Sequence, residues 1–291
     1  MAYGSPPNEA SVEPYLTHIR GGRPPAPGAL EDLIGRYRRI GFSPLDRITA
    51  AQAAALGARL GVPTFVGMKH APPFIWDAVA EARAAGVTRL VGLPLAPHYA
   101  AMSVGAYERE LRRCWSGELA CVRGFHDQPA FIAAVREVIA EALEGFEAEL
   151  VVFTAHSLPA RIAAEGDDYP GRLLESAGLV AAGMELPAWQ TAFQSASATG
   201  EPWFGPDLLE VIDSSGAGRI LVCPIGFVAD HLEILYDIDV EGREHALARG
   251  VELRRTASLN DRPGFIEALA AVVLEVLAKG DRTEVELAGE L

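Results

Sequence analysis

From residue 62 onward the sequence alternates short apolar runs with longer stretches of helical period, and that alternation limits the fold more than any other feature. Such runs read as strands buried on both faces, and strands separated by helical stretches build βαβ units around a parallel sheet. Strands are expected at 62–69, 88–96, 119–124, 149–155, 187–194, 219–225 and 251–257. Helices are expected at 73–85, 103–115, 128–145, 168–183, 206–215, 230–249 and 263–279, and before the alternation begins at 12–18, 29–40 and 49–60. The 291 residues suit two domains at about 150 residues each. The two halves share one plan, so the expected class is α/β with two domains, 1–124 and 125–262. The helix at 263–279 is expected to pack back on the first domain, and 280–291 to form a flexible tail. One irregularity stands at the front. Gly4, Pro6 and Pro7 mark a turn that should follow a strand of about five residues, yet only Met1, Ala2 and Tyr3 precede it. That strand is expected to be missing from the sequence or unusually short.

Bulk properties remove several classes. A net charge of −14 argues against a nucleic-acid surface. No apolar run reaches about 18 residues, so no membrane span is expected. The stretch Met1–Ser11 lacks a basic and an apolar region of signal-peptide type, which points to the cytoplasm. Three cysteines, Cys114, Cys121 and Cys223, without a C-x-x-C pair argue against disulfides, a zinc site or an iron–sulfur cluster. There is no phosphate-binding glycine motif and no nucleophile elbow. Charge is unevenly spread, however. Between Thr17 and Arg47 six arginines (20, 23, 36, 38, 39 and 47) face only Glu31, Asp32 and Asp46. This arm would suit a small ligand with several carboxylates, or it is an ordinary arginine-rich helix.

The chemistry-bearing residues collect where strands end. Lys69-His70, His98-Tyr99, Phe125-His126, His156-Ser157, Gln194-Ser195 and Asp230-His231 each follow a strand candidate, and open α/β sheets bind ligands at these carboxyl ends. A single histidine there is commonly structural; five of the seven in the chain favour a cleft between domains. Beyond the run Ile220–Ile225, Glu233, Asp237 and Glu241 recur every four residues. On an α-helix they would fall within an arc of about 80°, with His231 among them. The arrangement suits a cation path or a metal site. A capping box from Asp230 to Glu233 and a solvated face is the alternative, though capping needs no acid at 237 or 241 and like charges four apart repel.

Two long motifs, Thr154-Ala155-His156-Ser157-Leu158-Pro159 and Gly226-Phe227-Val228-Ala229-Asp230-His231-Leu232-Glu233-Ile234-Leu235-Tyr236-Asp237, resemble the ferrochelatase family. The similarity extends to Ser43-Pro44 and to Gly205-Pro206 after Trp203. Within that family the chain looks like the coproporphyrin type of Gram-positive bacteria, from Tyr3, the short loop Arg20–Pro27 and Gly67-Met68-Lys69-His70. The resemblance implies two Rossmann-like domains with parallel sheets, a chelatase-like fold, and a porphyrin cleft between them. It implies insertion of Fe²⁺ into coproporphyrin III with release of two protons, in heme biosynthesis. His156 then matches the proton acceptor or metal ligand, and Glu233 its partner. Asp237 and Glu241 match the rest of a metal row, with Arg36 beside it. Tyr3 matches a ligand of product iron on the opposite face. Arg20, Arg36, Tyr37, Ser43 and Tyr107 match propionate-binding positions, and Lys69 and His70 match a pair at the cleft. Gly21 departs from the pattern, since a second arginine often stands there. No permanent cofactor and no iron–sulfur cluster are implied, and the partners are coproporphyrin III, Fe²⁺ and downstream enzymes of the pathway, for a monomer. The competing readings are a protoporphyrin IX ferrochelatase, a haem carrier without catalysis, and a cobalt-inserting chelatase.

Overall fold

The structure is a computed structural model and describes residues 1–197 and 199–279. The expected tail at 280–291 lies outside the described residues. After a 3₁₀ turn at Glu9–Ser11 come α1 (Val12–Ile19), α2 (Ala29–Ile40), α3 (Leu45–Leu60) and α4 (Ile75–Ala84). Strand β1 (Arg89–Gly92), α5 (Val104–Cys114), β2 (Glu118–Cys121) and α6 (Pro129–Leu143) follow. Then come β3 (Leu150–His156), α7 (Arg161–Ala164), α8 (Tyr169–Ala182), β4 (Ala188–Gln194), α9 (Leu208–Ser214) and β5 (Arg219–Cys223). The chain continues through α10 (Leu232–Leu235), a π-helical turn (Asp237–Gly242), α11 (Arg243–Leu247), β6 (Glu252–Arg255) and α12 (Pro263–Lys279).

Local chemistry accounts for many of these limits. Gly41 and Gly61 stop α2 and α3 at φ 70° and 68°, where a side chain would be strained. Gln128 accepts from the Ala130 N–H at the start of α6, with proline in its first turn. Asp207 and Glu210 close a capping box on α9.

All strand pairing is parallel, in the order β4-β3-β5-β6 for one sheet and β1-β2 for the other. Val151, Val152 and Phe153 of β3 and Ile220, Leu221 and Val222 of β5 are completely buried, as the apolar runs require of strands covered on both faces. The larger core joins β3 and β5 to α6, α8 and α12. Helix α12 packs on both α6 and α3, and Arg59 of α3 pairs with Glu267 of α12 at 2.6 Å.

Two expected elements differ. No strand forms over 62–69: Met68 makes isolated bridges to Ala2 and Phe74, and among the described residues no segment lies between 62–66 and β1 to complete a ladder. Met1–Ala2 supplies the pairing at one end. The Met1 amino group donates to the Leu93 carbonyl at 2.7 Å, and the Ala2 N–H to Gly67 at 3.2 Å. Beyond them is an apolar recess of about 640 Å³, lined by Val62–Gly67, Val87–Leu93 and residues of α3, α4 and α12. The Met1 amine closes its end, its pKa pushed down to about 5 by burial.

The expected helix 230–249 is also interrupted. Only α10 and α11 are α-helical, and the segment between them widens into a π turn in which the Glu241 N–H donates to the Tyr236 carbonyl at 2.9 Å. Gly242 closes this turn, and a Cβ there would meet the Asp237 carbonyl oxygen at a tight 3.2 Å. The three acids therefore do not share a single α-helical face. π turns are rare and frequent at functional sites.

Candidate active site

His156 is the last residue of β3 and lies in register with Gln194 of β4. Its Nε2 stands 3.5 Å from Glu233 Oε1, and His231 Nε2 stands 3.5 Å from Glu233 Oε2. On its other side His156 Nδ1 meets the Ser157 carbonyl in a short contact. Burial opposes the imidazolium, but the Glu233 carboxylate and the Ser157 carbonyl outweigh it and raise the His156 pKa to about 9. His231 shifts upward through the same balance. Burial likewise opposes the Glu233 charge, and His156 and His231 more than offset it, holding that carboxyl well below its usual range. At neutral pH the centre thus pairs the Glu233 carboxylate with the His156 imidazolium, and the same carboxylate favours a proton on His231.

Asp237 lies one turn further, nearly buried. It accepts a short hydrogen bond from Ser195 and approaches Arg36 Nη1 at 3.5 Å. Burial pushes its pKa up to about 6; the Ser195 bond works against that, and the Glu233 charge adds to it. Arg36 also lies over the Tyr236 ring at 4.8 Å, so α2 of the first half reaches directly onto the acidic segment of the second. Glu241 follows within the π turn, half-buried, while Asp239 turns away to pair with Arg255 at 2.8 Å.

The first half contributes a second group. Tyr3 is 42% exposed, its ring 4.5 Å from that of His70. The Lys69 ammonium lies 5.9 Å from the Tyr3 ring centre and 5.5 Å from that of Tyr107. Backbone bonds hold the group together: Lys69 donates to Ala2 and His70 to Tyr3, both at 2.9 Å. Lost hydration raises the pKa values of Tyr3 and Tyr107, and the Glu233 charge raises both further. Burial lowers Lys69, and it lowers His70 to about 4, so that imidazole is neutral.

The remaining expected positions are engaged elsewhere. Arg20 donates to the Pro24 carbonyl in its own loop at 3.1 Å, and Ser43 accepts from Leu45 N–H at 3.3 Å. Tyr37 is buried, its hydroxyl accepting from Ser5 at 3.3 Å and its pKa raised to about 12 mainly by burial. The strand-exit histidines divide. His70, His156 and His231 join these two groups; buried His98 binds Ser176 at 2.9 Å, and His126 binds Glu175 at 3.0 Å. The sequence placed Gln194 and Ser195 at a strand exit without giving them a role, and it passed over His18, whose Nδ1 lies 3.0 Å from His70 Nδ1. Their only signal was position at or across from a strand exit.

This arrangement offers carboxylate and imidazole donors for a divalent cation and a base at its centre, facing phenols and an ammonium. Comparison with known proteins agrees. A family model described as Ferrochelatase matches residues 1–277. A protein of Herpetosiphon aurantiacus named ferrochelatase is 41% identical over 94% of this chain and 96% of its own length. A protein of Bacillus subtilis named coproporphyrin III ferrochelatase is 39% identical, over 96% of this chain and 97% of its own. Among solved structures, SirB from Bacillus subtilis with Fe³⁺ overlays with a TM-score of 0.62 at 16% identity, covering 82% of this chain and 91% of SirB. CbiX, a terminal enzyme of siroheme biosynthesis, overlays at 0.57 and 14% identity, over 80% of this chain and 92% of CbiX. Those two likenesses carry the fold, which is that of the chelatases. The family match and the full-length relatives carry the identity: the chain is a metal chelatase and belongs to the ferrochelatase family.

Proposed function

We propose that the enzyme inserts Fe²⁺ into coproporphyrin III, with His156 and Glu233 at the centre of the reaction. The ion pair at the exit of β3, with Tyr3 within reach of its field and Lys69 beside Tyr3, is the observation that carries this reading. A porphyrin must lose two pyrrole protons as the metal enters, and the metal must shed water. The resting imidazolium already neutralises Glu233. An arriving dication takes over that role and displaces the proton to water, which frees His156 Nε2 to accept the two pyrrole protons in turn and pass each to water, or to hold the metal. Asp237 and Glu241 then supply the approach for the metal. Tyr3 lies on the other side as a ligand for product iron, its raised pKa keeping it protonated until the metal draws the proton off.

Coproporphyrin carries four carboxylates, and Arg20, Arg36, Lys69, Tyr37, Ser43, His70 and Tyr107 are the proposed propionate and substrate contacts. The names of the Bacillus relatives, Tyr3 and the short Arg20–Pro27 loop favour this porphyrin over protoporphyrin IX. No iron–sulfur cluster belongs to the reading: the three cysteines of this sequence, Cys114, Cys121 and Cys223, are fewer than the four thiolates such a cluster takes. The proposal also takes the protein as a cytoplasmic monomer of two domains dividing near Gly124, handing its product to a downstream enzyme. Among the described residues no helix is long and apolar enough to cross a membrane.

The test is anaerobic Fe²⁺ insertion followed by absorbance, with coproporphyrin III and protoporphyrin IX offered separately. Faster turnover of coproporphyrin supports the substrate assignment; faster turnover of protoporphyrin overturns it and leaves the family unchanged.

A further inference from the structure

Glu233 sits in a helix of a single turn, followed directly by a π turn that carries Asp237 and Glu241. So short a helix has little rigidity of its own, yet the backbone of Glu233 and the carboxylate of Asp237 are each held, and both from the same place. Gln194, the last residue of β4, is buried and in register with His156. Its side chain donates to the Glu233 carbonyl at 2.7 Å, accepts from the fully buried Thr154 hydroxyl at 2.8 Å, and its carbonyl accepts from the Ser157 N–H at 2.7 Å. One residue thereby ties the backbone on both sides of the His156–Glu233 pair. The next residue, Ser195, adopts φ +62°, a left-handed conformation unfavourable for a residue with a Cβ. In that conformation its hydroxyl donates to Asp237. Strained backbone persists where the surroundings over-determine it, and here it aims a hydroxyl at a carboxylate of the site.

We propose that Gln194 and Ser195 are positioning residues for metal insertion: Gln194 sets the height of Glu233 against His156, and Ser195 sets the orientation of Asp237. This rests on the reading of His156, Glu233 and Asp237 given above. The end of β4, and not the helix that bears them, then fixes where the metal-facing carboxylates stand. Neither residue touches porphyrin or metal in this scheme.

Ser195 gives a test in which stability and function move apart. Ser195→Ala keeps the strained backbone and loses the hydroxyl; Ser195→Gly loses the hydroxyl and relieves the backbone. A merely structural serine predicts that Gly behaves at least as well as wild type in every assay. The proposal predicts a Tm for Ser195→Gly equal to or above wild type and for Ser195→Ala below it. Both variants should raise the KM for Fe²⁺ about tenfold, the effect of one lost charged hydrogen bond, with the porphyrin KM within about twofold. A wild-type metal KM in Ser195→Gly overturns the Ser195 assignment. Gln194→Met conserves volume while removing both side-chain bonds, and should lower kcat with the porphyrin KM unchanged; an unchanged kcat overturns the Gln194 assignment. Calorimetric titration with Co²⁺ alone, without porphyrin, repeats the Ser195 comparison independently of turnover. Should the wild type insert no iron, the functional reading falls, and weaker Co²⁺ binding by both Ser195 variants still upholds the positioning.

Discussion

The two sheets of this molecule are built from the same units and are completed to very different degrees. In the second, four strands pair in register and the two central ones, β3 and β5, bury their apolar runs, so the exits of those strands are fixed points. In the first, two four-residue strands pair with one another, a two-residue segment bridges to Met68, and an apolar recess stands where further pairing would run. The division of labour follows the difference. His156, Glu233 and Asp237, which the proposed chemistry needs at fixed spacing, belong to the filled sheet. Tyr3, Lys69 and His70 are held by backbone bonds at the edge of the other one.

Substitutions can break that comparison, beginning with the largest effect. His156→Ala should lower kcat by about 100- to 10,000-fold, the range for loss of a general base, while fluorescence titration still shows porphyrin binding. Activity near wild type would detach the chemistry from the filled sheet. Leu221→Ala in β5 should destabilise the fold by about 3 kcal/mol in denaturant melts, since a closely packed sheet does not collapse into the cavity.

A pH titration sharpens the electrostatic side. The His156 pKa is raised above its ordinary value, so the proton is bound up to about pH 9 and competes with metal throughout that range. Apparent metal affinity, measured with Co²⁺, should therefore rise with pH by up to about tenfold per unit and level off above about 9. The stability from the ion pair runs the opposite way. It is fully present below about 6.5, the ordinary histidine value, and is lost as pH rises through about 9. The smallest expected effect belongs to the unfilled sheet. The Thr49 hydroxyl lines the recess, buried and unpartnered, so Thr49→Val should add about 1 kcal/mol and raise Tm by about 2–4 °C. A loss of stability would mean that the recess holds ordered water on that hydroxyl.

The same contrast explains what the sequence could and could not disclose. Strands β3 and β5 were legible because a strand buried on both faces must be apolar throughout; β1, β2, β4 and β6, only partly buried, were legible through their alternation with helical stretches. The run 62–69 carries the same signal and forms no strand, since a strand exists only with a neighbour to pair with and composition reports none. The acids at 233, 237 and 241 were visible as a spacing, but not the π turn that Gly242 closes. His156 and Glu233 were legible through long motifs. Gln194 and Ser195 were not, because their partners lie 39 and 42 residues away and neither residue type signals the bond it makes.

Hydrostatic pressure addresses the recess in a way that heat does not. Pressure favours whichever state takes less volume, and unfolding contracts a protein in proportion to the voids it eliminates, by about 20–100 mL/mol in all. A recess of about 640 Å³ lies beside β1, between Val62–Gly67 and Val87–Leu93. Compression should therefore admit water to the first sheet while β3 to β6 remain intact. Under pressure the molecule would keep its metal-facing acids in place and lose the wall that carries Tyr3.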